Sequence, residues 1–553
     1  MTGPAGKTRR SVSWGTGHAC VLLCELTLLM FAAGRVAAAS TPGQEQVTRD
    51  FHKTVSLGGG QSVWIDHKFG EIKLHAEAGR EVKISASIRA QASSREEAES
   101  FAQKIQIDVQ QTAEGVRIKT IYPSEEKRWF HTSKSSSWSV SYDIGMPSDA
   151  ALNVRNAFGS VDAAGIRGAA EIENSHGSVT VRDAGAARLG NSFGSIEVGG
   201  AAGNVYITDN NGSVQVSEVK GSLEVRNRFG SITVRGIQGT ANITGANGAV
   251  NLLDAGSANI INSFGSVEAR NIRGDLIVHD NNGNIDVSGI GGAADIADSF
   301  GNVTFSDVKG RVNCTTNNGR VSGSSLSGSI VTIRDSFGNL ELSNIAGALN
   351  AETSNGKITL RSAHGSVELK SSFGAIEASD VSKGIRAITG NGSITLTDIG
   401  GDTFAKTSFG SVSVERVSGN LIVENTNGSV TARNIKGDAT VTTSFAGVNL
   451  ELIGGRITVN NQNGGISVAA ARPATGCRDI SLKTSFSSIR VGIPGGVGYN
   501  VSARTSFGRI SSELPISATG NLGTDSLNGT IGSGGCQLQL NDSNGSIEIT
   551  KAQ

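Results

Sequence analysis

Through most of this 553-residue chain, a glycine preceded by phenylalanine or asparagine returns at a nearly constant interval. After Gly159 the series runs Gly194, Gly212, Gly230, Gly248, Gly265, Gly283, Gly301, Gly319, Gly338, Gly356, Gly374, Gly392, Gly410 and Gly428, with gaps of 17 to 19 residues. A fixed period of about 20 residues marks a stack in which each unit covers the apolar surface of the next, so length alone does not divide this chain into globular domains. Glycine supplies 74 residues and proline only 7, which makes the glycines turn residues rather than collagen or linker.

Two units show the grammar: "GSVQVSEVKGSLEVRNRF" (Gly212 to Phe229) and "GSITVRGIQGTANITGAN" (Gly230 to Asn247). Apolar residues fall at offsets 2, 4, 7, 11 and 13 from the leading glycine, as Val214, Val216, Val219, Leu223 and Val225. Offsets 2 and 4 share one face of a short strand, and offsets 11 and 13 share one face of a second, so each unit holds two strands. Branched Val, Ile and Thr suit a pleated surface. The corners are expected to need positive φ, which glycine adopts freely and asparagine tolerates.

The corners alternate in kind. Phe193, Phe229, Phe264, Phe300, Phe337, Phe373 and Phe409 take turns with asparagines such as Asn211, Asn247, Asn282 and Asn318, so the full sequence period is about 36. The apolar offsets repeat at 18 whichever corner is present, which favours an 18-residue rung over a 36-residue one. Antiparallel hairpins are the structural rival, because Asn-Gly is also a hairpin signal, but it returns only once per two units. The predicted fold is all-β: a single-stranded parallel β-solenoid, right-handed by preference, with about 18 residues per rung. From Gly159 to Gly464 is 305 residues, or about 17 rungs. At ~4.8 Å per rung that is a rod of ~80 Å.

Residues 45–150 lack regular corners and hold Trp64, Trp129 and Trp138, which reads as an N-terminal cap of strands. "SSREEAESFAQKIQ" (Ser93 to Gln106) is its one short amphipathic helix, with Ala98, Phe101, Ala102 and Ile105 on one face. Ser133 to Ser137 is expected to be a polar loop. Regular repeats then occupy 151–470, and less regular rungs with a closing cap occupy 471–553, where Pro473, Pro494 and Pro515 fall. Caps protect the open strand edges at the ends of a solenoid.

Residues 1–39 read as a signal peptide: Lys7, Arg9 and Arg10, an apolar run from Ala19 to Ala33, then Ala37-Ala38-Ala39-Ser40. The run carries Glu25 and falls short of the roughly 20 residues of a spanning helix, so no stable membrane span is expected after cleavage. Neither Cys20 nor Cys24 has the setting of a lipoprotein acceptor. Of the remaining Cys314, Cys477 and Cys536, the last two are 59 residues apart, about three regular rungs. That spacing corresponds to ~14 Å, beyond the ~7 Å a disulfide spans, so a bridge requires an irregular C-terminal end.

The run "VWIDHKFGEIKLHA" (Val63 to Ala76), the repeated "SFGSV" and "NNGSV" rungs, and "LNGTIGSGGCQLQLNDSNGSIEIT" (Leu527 to Thr550) together resemble the bacterial putative-adhesin family of β-strand-repeat domains. The resemblance covers nearly all of the chain after residue 40. It implies an extracytoplasmic β-helix with an adhesive role, and it supplies no catalytic residues.

Lys plus Arg and Asp plus Glu both number 49, so no net field gathers nucleic acid or anionic lipid, and neither is an expected partner. The corner phenylalanines are expected to fill core corners rather than form a carbohydrate-stacking ladder. Asp209-Asn210-Asn211-Gly212 and Asp280-Asn281-Asn282-Gly283 are read as turns rather than Ca²⁺ sites, and His176 and His364 lack a second histidine at ligand spacing. No catalytic, cofactor or metal residue is assigned. A polysaccharide lyase or hydrolase would need clustered charges and loops walling a groove, whereas the rungs here are even in length. An envelope scaffold or sensor is a further alternative. The expected function is an exported, periplasmic or surface, non-catalytic adhesin-like protein that holds a glycan or protein ligand through many weak contacts.

Overall fold

The computed structural model describes residues 45–123, 136–469, 476–518 and 523–552. The signal segment 1–39, Cys20, Cys24, Trp129 and Pro473 lie outside the described residues, as does all of the expected 133–137 loop except its end. Ser137 itself begins a strand, Ser137–Pro147.

The inward pattern is the predicted one. Val214, Val216, Val219, Leu223 and Val225 are all buried. Strand Val214–Val219 pairs in parallel with the strand that follows 18 residues later, Val214 opposite Ile232 and Val219 opposite Ile237, and Leu223 likewise faces Ala241. Each rung is therefore 18 residues with two strands, and about 18 turns of parallel solenoid form the body. At ~4.8 Å per rung the stack is ~86 Å long.

Offsets 4 and 7 both point inward although they are three positions apart, which strict strand alternation forbids. The residue at offset 6 resolves this by adopting a left-handed backbone: φ is 58° at Glu218, 60° at Asp254, 57° at Asn271 and 71° at Gly236. One left-handed residue flips the following side chain back to the core. Asp, Asn and Gly tolerate that conformation best, and they dominate the column, with Glu218, Ser325, Ser362, Arg416 and Leu452 as departures.

The expected positive φ holds at Gly194, Gly230, Gly248, Gly265 and Gly319 but not at the other corner glycines of the series. Gly230 does have a positive φ of 121°, but Gly212, Gly283 and Gly301 show none in the left-handed region. What they share is proximity to the rung before: a Cβ on Gly212 would lie 2.0 Å from the carbonyl oxygen of Gly194, and one on Gly301 would lie 1.8 Å from that of Gly283. Any side chain there would push two rungs apart.

At both ends the stacking order departs from sequence order. Ser62–Asp66 lies in parallel between Gly115–Ile121 and Ala151–Phe158, while Ile72–Glu77 lies between Ser137–Pro147 and Val161–Ala164. Parallel rungs thus continue into the N-terminal region. Antiparallel strands cover the outer edges there, Gln106–Thr112 against Gly115–Ile121 and Glu81–Ala92 against Ser137–Pro147. Helix Arg95–Lys104 is capped by the Ser94 side chain, which accepts from the Glu97 amide, and it buries Ala98 and Ala102.

At the other end Cys536–Asn541 and Ile547–Lys551 pair directly with Ile480–Lys483 and Ile489–Ile493, and Tyr499–Arg504 stacks beyond them. The chain leaves the stack after residue 493, runs to the far end, and returns to fill the gap. Cys477 and Cys536 are therefore on adjacent rungs rather than three apart, with Cα atoms 5.7 Å apart and a disulfide between them. The regular-stacking distance of ~14 Å fails because it assumes sequence order in space. Cys314 is a buried thiol.

Candidate functional site

The corner residues of successive rungs form a single column. His176 pairs in register with Phe158 and with Phe193, Phe229 with Asn247, Asn247 with Phe264, and Phe300 with both Asn282 and Asn318. The rings of Phe69, Phe158, His176 and Phe193 stack face to face with centroids 5.4, 4.6 and 4.9 Å apart. Beyond Phe193 an asparagine rung separates each ring from the next, so the rings stand two rungs, ~9.6 Å, apart.

These rings face solvent, contrary to the expectation that they fill core corners. Exposure is 44% at Phe158 and Phe229, 50% at Phe193, 54 to 65% at Phe264, Phe300, Phe337, Phe373 and Phe409, and 84% at Phe507. The inside of each corner is already occupied. Two residues before the corner residue, a polar side chain points inward and is buried: Asn174, Asn191, Asn227, Thr353, Thr389 and Asn425 among others.

This inner polar column braces the corner backbone. Asn191 Nδ2 donates to the carbonyls of Gly177 and Gly194, both at 2.9 Å, so one amide ties two consecutive corners together. Asn227 does the same for Gly212 and Gly230. Thr389 donates to the Gly374 carbonyl at 2.9 Å and accepts from the Gly392 amide at 3.2 Å. Buried carbonyls need such partners, and an apolar ring would leave them unsatisfied. The column was missed in the sequence, although its signal is there: Asn, Asp, Thr or Ser stands three residues before nearly every corner glycine.

Asp209 and Asp280 open their turns with side chains in this inner column, buried together with Asp298 and Asp335. Burial pushes Asp209 and Asp298 up to about 6, against the pull of the neighbouring amides. His176 is part of the stacked ladder, whereas His364 lies away from it and bonds Ser382 Oγ at 3.0 Å. Among the described residues no three of His, Cys, Asp and Glu gather as a metal-binding group, and no helix is long and apolar enough to cross a membrane.

The outer asparagines are also held. Asn427 Nδ2 donates to the Ser408 carbonyl at 3.1 Å and Asn355 Nδ2 to the Ser336 carbonyl at 3.3 Å, each reaching the residue just before the phenylalanine of the preceding rung. The ladder is thus a fixed alternation of exposed rings and amides on a braced edge. A second concavity beside Trp64 has the Arg117 guanidinium 4.8 Å over the indole and an Asp66–Lys119 ion pair at 3.6 Å.

No family model matches the chain. No curated protein matches it either. Among solved structures, a "putative cell adhesion protein" from Clostridium sporogenes aligns over 34% of this chain and 100% of its own length, with 10% identity and a TM-score of 0.21. That likeness is too slight to bear on fold or function.

Proposed function

We propose that this chain is an exported, non-catalytic, adhesin-like binding rod whose Phe–Asn edge is its contact face. The observation that carries the reading is the column of phenylalanines from Phe193 to Phe409, 44 to 65% exposed and braced by the buried amides and hydroxyls beneath it. Exposed aromatic residues that recur at every second rung along one edge support an interaction surface rather than a fold requirement. Repetition along a stiff rod turns weak single contacts into avidity. The signal-like first 39 residues and the resemblance to the adhesin family support export and an adhesive role.

The test compares the wild-type protein with Phe300→Ser/Phe337→Ser/Phe373→Ser for retention on cell-envelope and extracellular-matrix preparations, alongside protease shaving of intact cells. The expected result is release by shaving and a loss of retention of at least about tenfold in the variant, or about 1.4 kcal/mol. Retention unchanged in the variant would remove the edge as the contact face.

A further inference from the structure

We propose that the Phe–Asn edge takes an uncharged, extended polysaccharide lying along the rod axis, one disaccharide to every two rungs. This rests on the edge being the contact face. The period of the edge fits such a polymer. Rings recur every second rung, ~9.6 Å, which is of the same order as the disaccharide repeat of an extended β-1,4-linked chain. In such a chain each sugar is rotated by a half turn from the one before, so the same apolar face returns on every second sugar. A ladder suited to that polymer places a ring under one sugar and a hydrogen-bonding side chain under the next, which is the alternation of Phe300, Asn318, Phe337 and Asn355.

The edge is also nearly free of charge. The residues just before each corner residue and two after it, from Ala157 to Ser546, include no Asp or Glu, and among basic residues only Arg228, Arg320, Lys357 and Arg509. The rest are almost all Ser, Thr, Asn, Gln, Ala and Gly. Elsewhere the surface is rich in ion pairs, such as Lys406–Glu424 at 2.8 Å and Arg182–Asp162 at 3.1 Å. A neutral strip on a charged rod selects a neutral ligand and makes acidic polymers poor ones.

The outer amides are oriented as acceptors. The amide nitrogens of Asn355 and Asn427 are committed to backbone carbonyls, and both residues are exposed, so their side-chain oxygens remain as acceptors for ligand hydroxyls. The site is built before the ligand arrives, which keeps the ordering cost of binding low.

The test is calorimetric titration of the full-length protein with cellohexaose, maltohexaose and polygalacturonate, and with a soluble long β-1,4-glucan. The expected result is cellohexaose binding at least about tenfold tighter than maltohexaose. Affinity should rise with chain length, and it should be unchanged between about 0.05 and 0.5 M salt. Phe300→Ser/Phe337→Ser/Phe373→Ser should lose it, with circular dichroism unchanged. Asn339→Asp, which keeps an oxygen acceptor for the Lys357 amide while adding a charge beside Phe337, should favour the neutral glucan less.

Equal binding of maltohexaose, or a salt-sensitive preference for polygalacturonate, would overturn the ligand assignment. If β-glucan does not bind but envelope retention still depends on the three phenylalanines, the ligand is wrong and the contact face stands. If neither depends on them, both readings fail. A dimer seen by sedimentation, dissolved by the triple variant and unaccompanied by glucan binding, would assign the edge to a second copy of this chain and overturn the proposal.

Discussion

Asp280 and Asp298 occupy the same inward column on consecutive rungs, and neither carboxylate donates to the corner glycine carbonyls. Where an Asn or Thr fills that column, its side chain donates to the corner glycine carbonyls. An ionised aspartate has nothing to donate, so the corner carbonyls lose that partner, and only the amides of Ser299 and Phe300 favour the charged form of Asp298. Burial accordingly favours the neutral form, raising Asp280 and raising Asp298 to about 6, with the charge of Asp280 adding to the effect at Asp298.

Asp298→Asn is expected to stabilise the protein by about 1–3 kcal/mol at pH 8, the cost of a buried unsatisfied group. The folded pKa lies above the unfolded value. The contribution of Asp298 is therefore fully present below about pH 4 and lost as pH rises through about 6. The advantage of Asn should shrink correspondingly at pH 5. Denaturation midpoints of both proteins at pH 5 and pH 8 check this; a variant no more stable than wild type at pH 8 counts against it.

Leu452 holds φ at 56° in the left-handed column that Asn and Asp mostly fill, and it is exposed. Left-handed backbone costs a branched apolar residue about 1–2 kcal/mol. Leu452→Asn should therefore raise the unfolding free energy by about 1 kcal/mol, read from equilibrium denaturation. A loss of stability would mean that the Leu452 side chain contributes packing that outweighs the strain.

Removing Gly283 to Phe300 takes out one 18-residue rung and joins Asn282 to Gly301, leaving Val303 where Ile285 stood. Because each rung touches only its neighbours, the shortened protein should unfold cooperatively with native-like circular dichroism. It sets two asparagine corners in succession and so interrupts the ladder. Removing Gly283 to Asn318 preserves the alternation. An aggregated product from the 18-residue deletion beside a well-folded 36-residue one would contradict the pairing of Ile285 with Val303.

Much of this fold was legible because its apolar offsets repeat without reference to corner type, as Val214 with Ile232 and Leu223 with Ala241 demonstrate. What was not legible has physical causes. Alternation assigns a face only along an unbroken strand, so beside a glycine corner it cannot say whether Phe229 turns in or out. The inward Asn227 decides it by taking the interior hydrogen bonds. Likewise "NDSNGSIEIT" obeys the repeat grammar, yet nothing local tells that Ile547 stacks on Ile489 ahead of Ile510. That reordering is a matter of long-range pairing, and it is what brings Cys477 to Cys536.

The central claim is that the corner rings form a surface and are not part of the core, and the unfolding free energy of Phe337→Ser tests it most directly. Phe337 is 62% exposed. The account predicts a loss of less than about 1 kcal/mol, as for an ordinary surface substitution. A loss of about 3–5 kcal/mol, the cost of truncating a buried phenylalanine, would place the ring in the core and contradict the ladder.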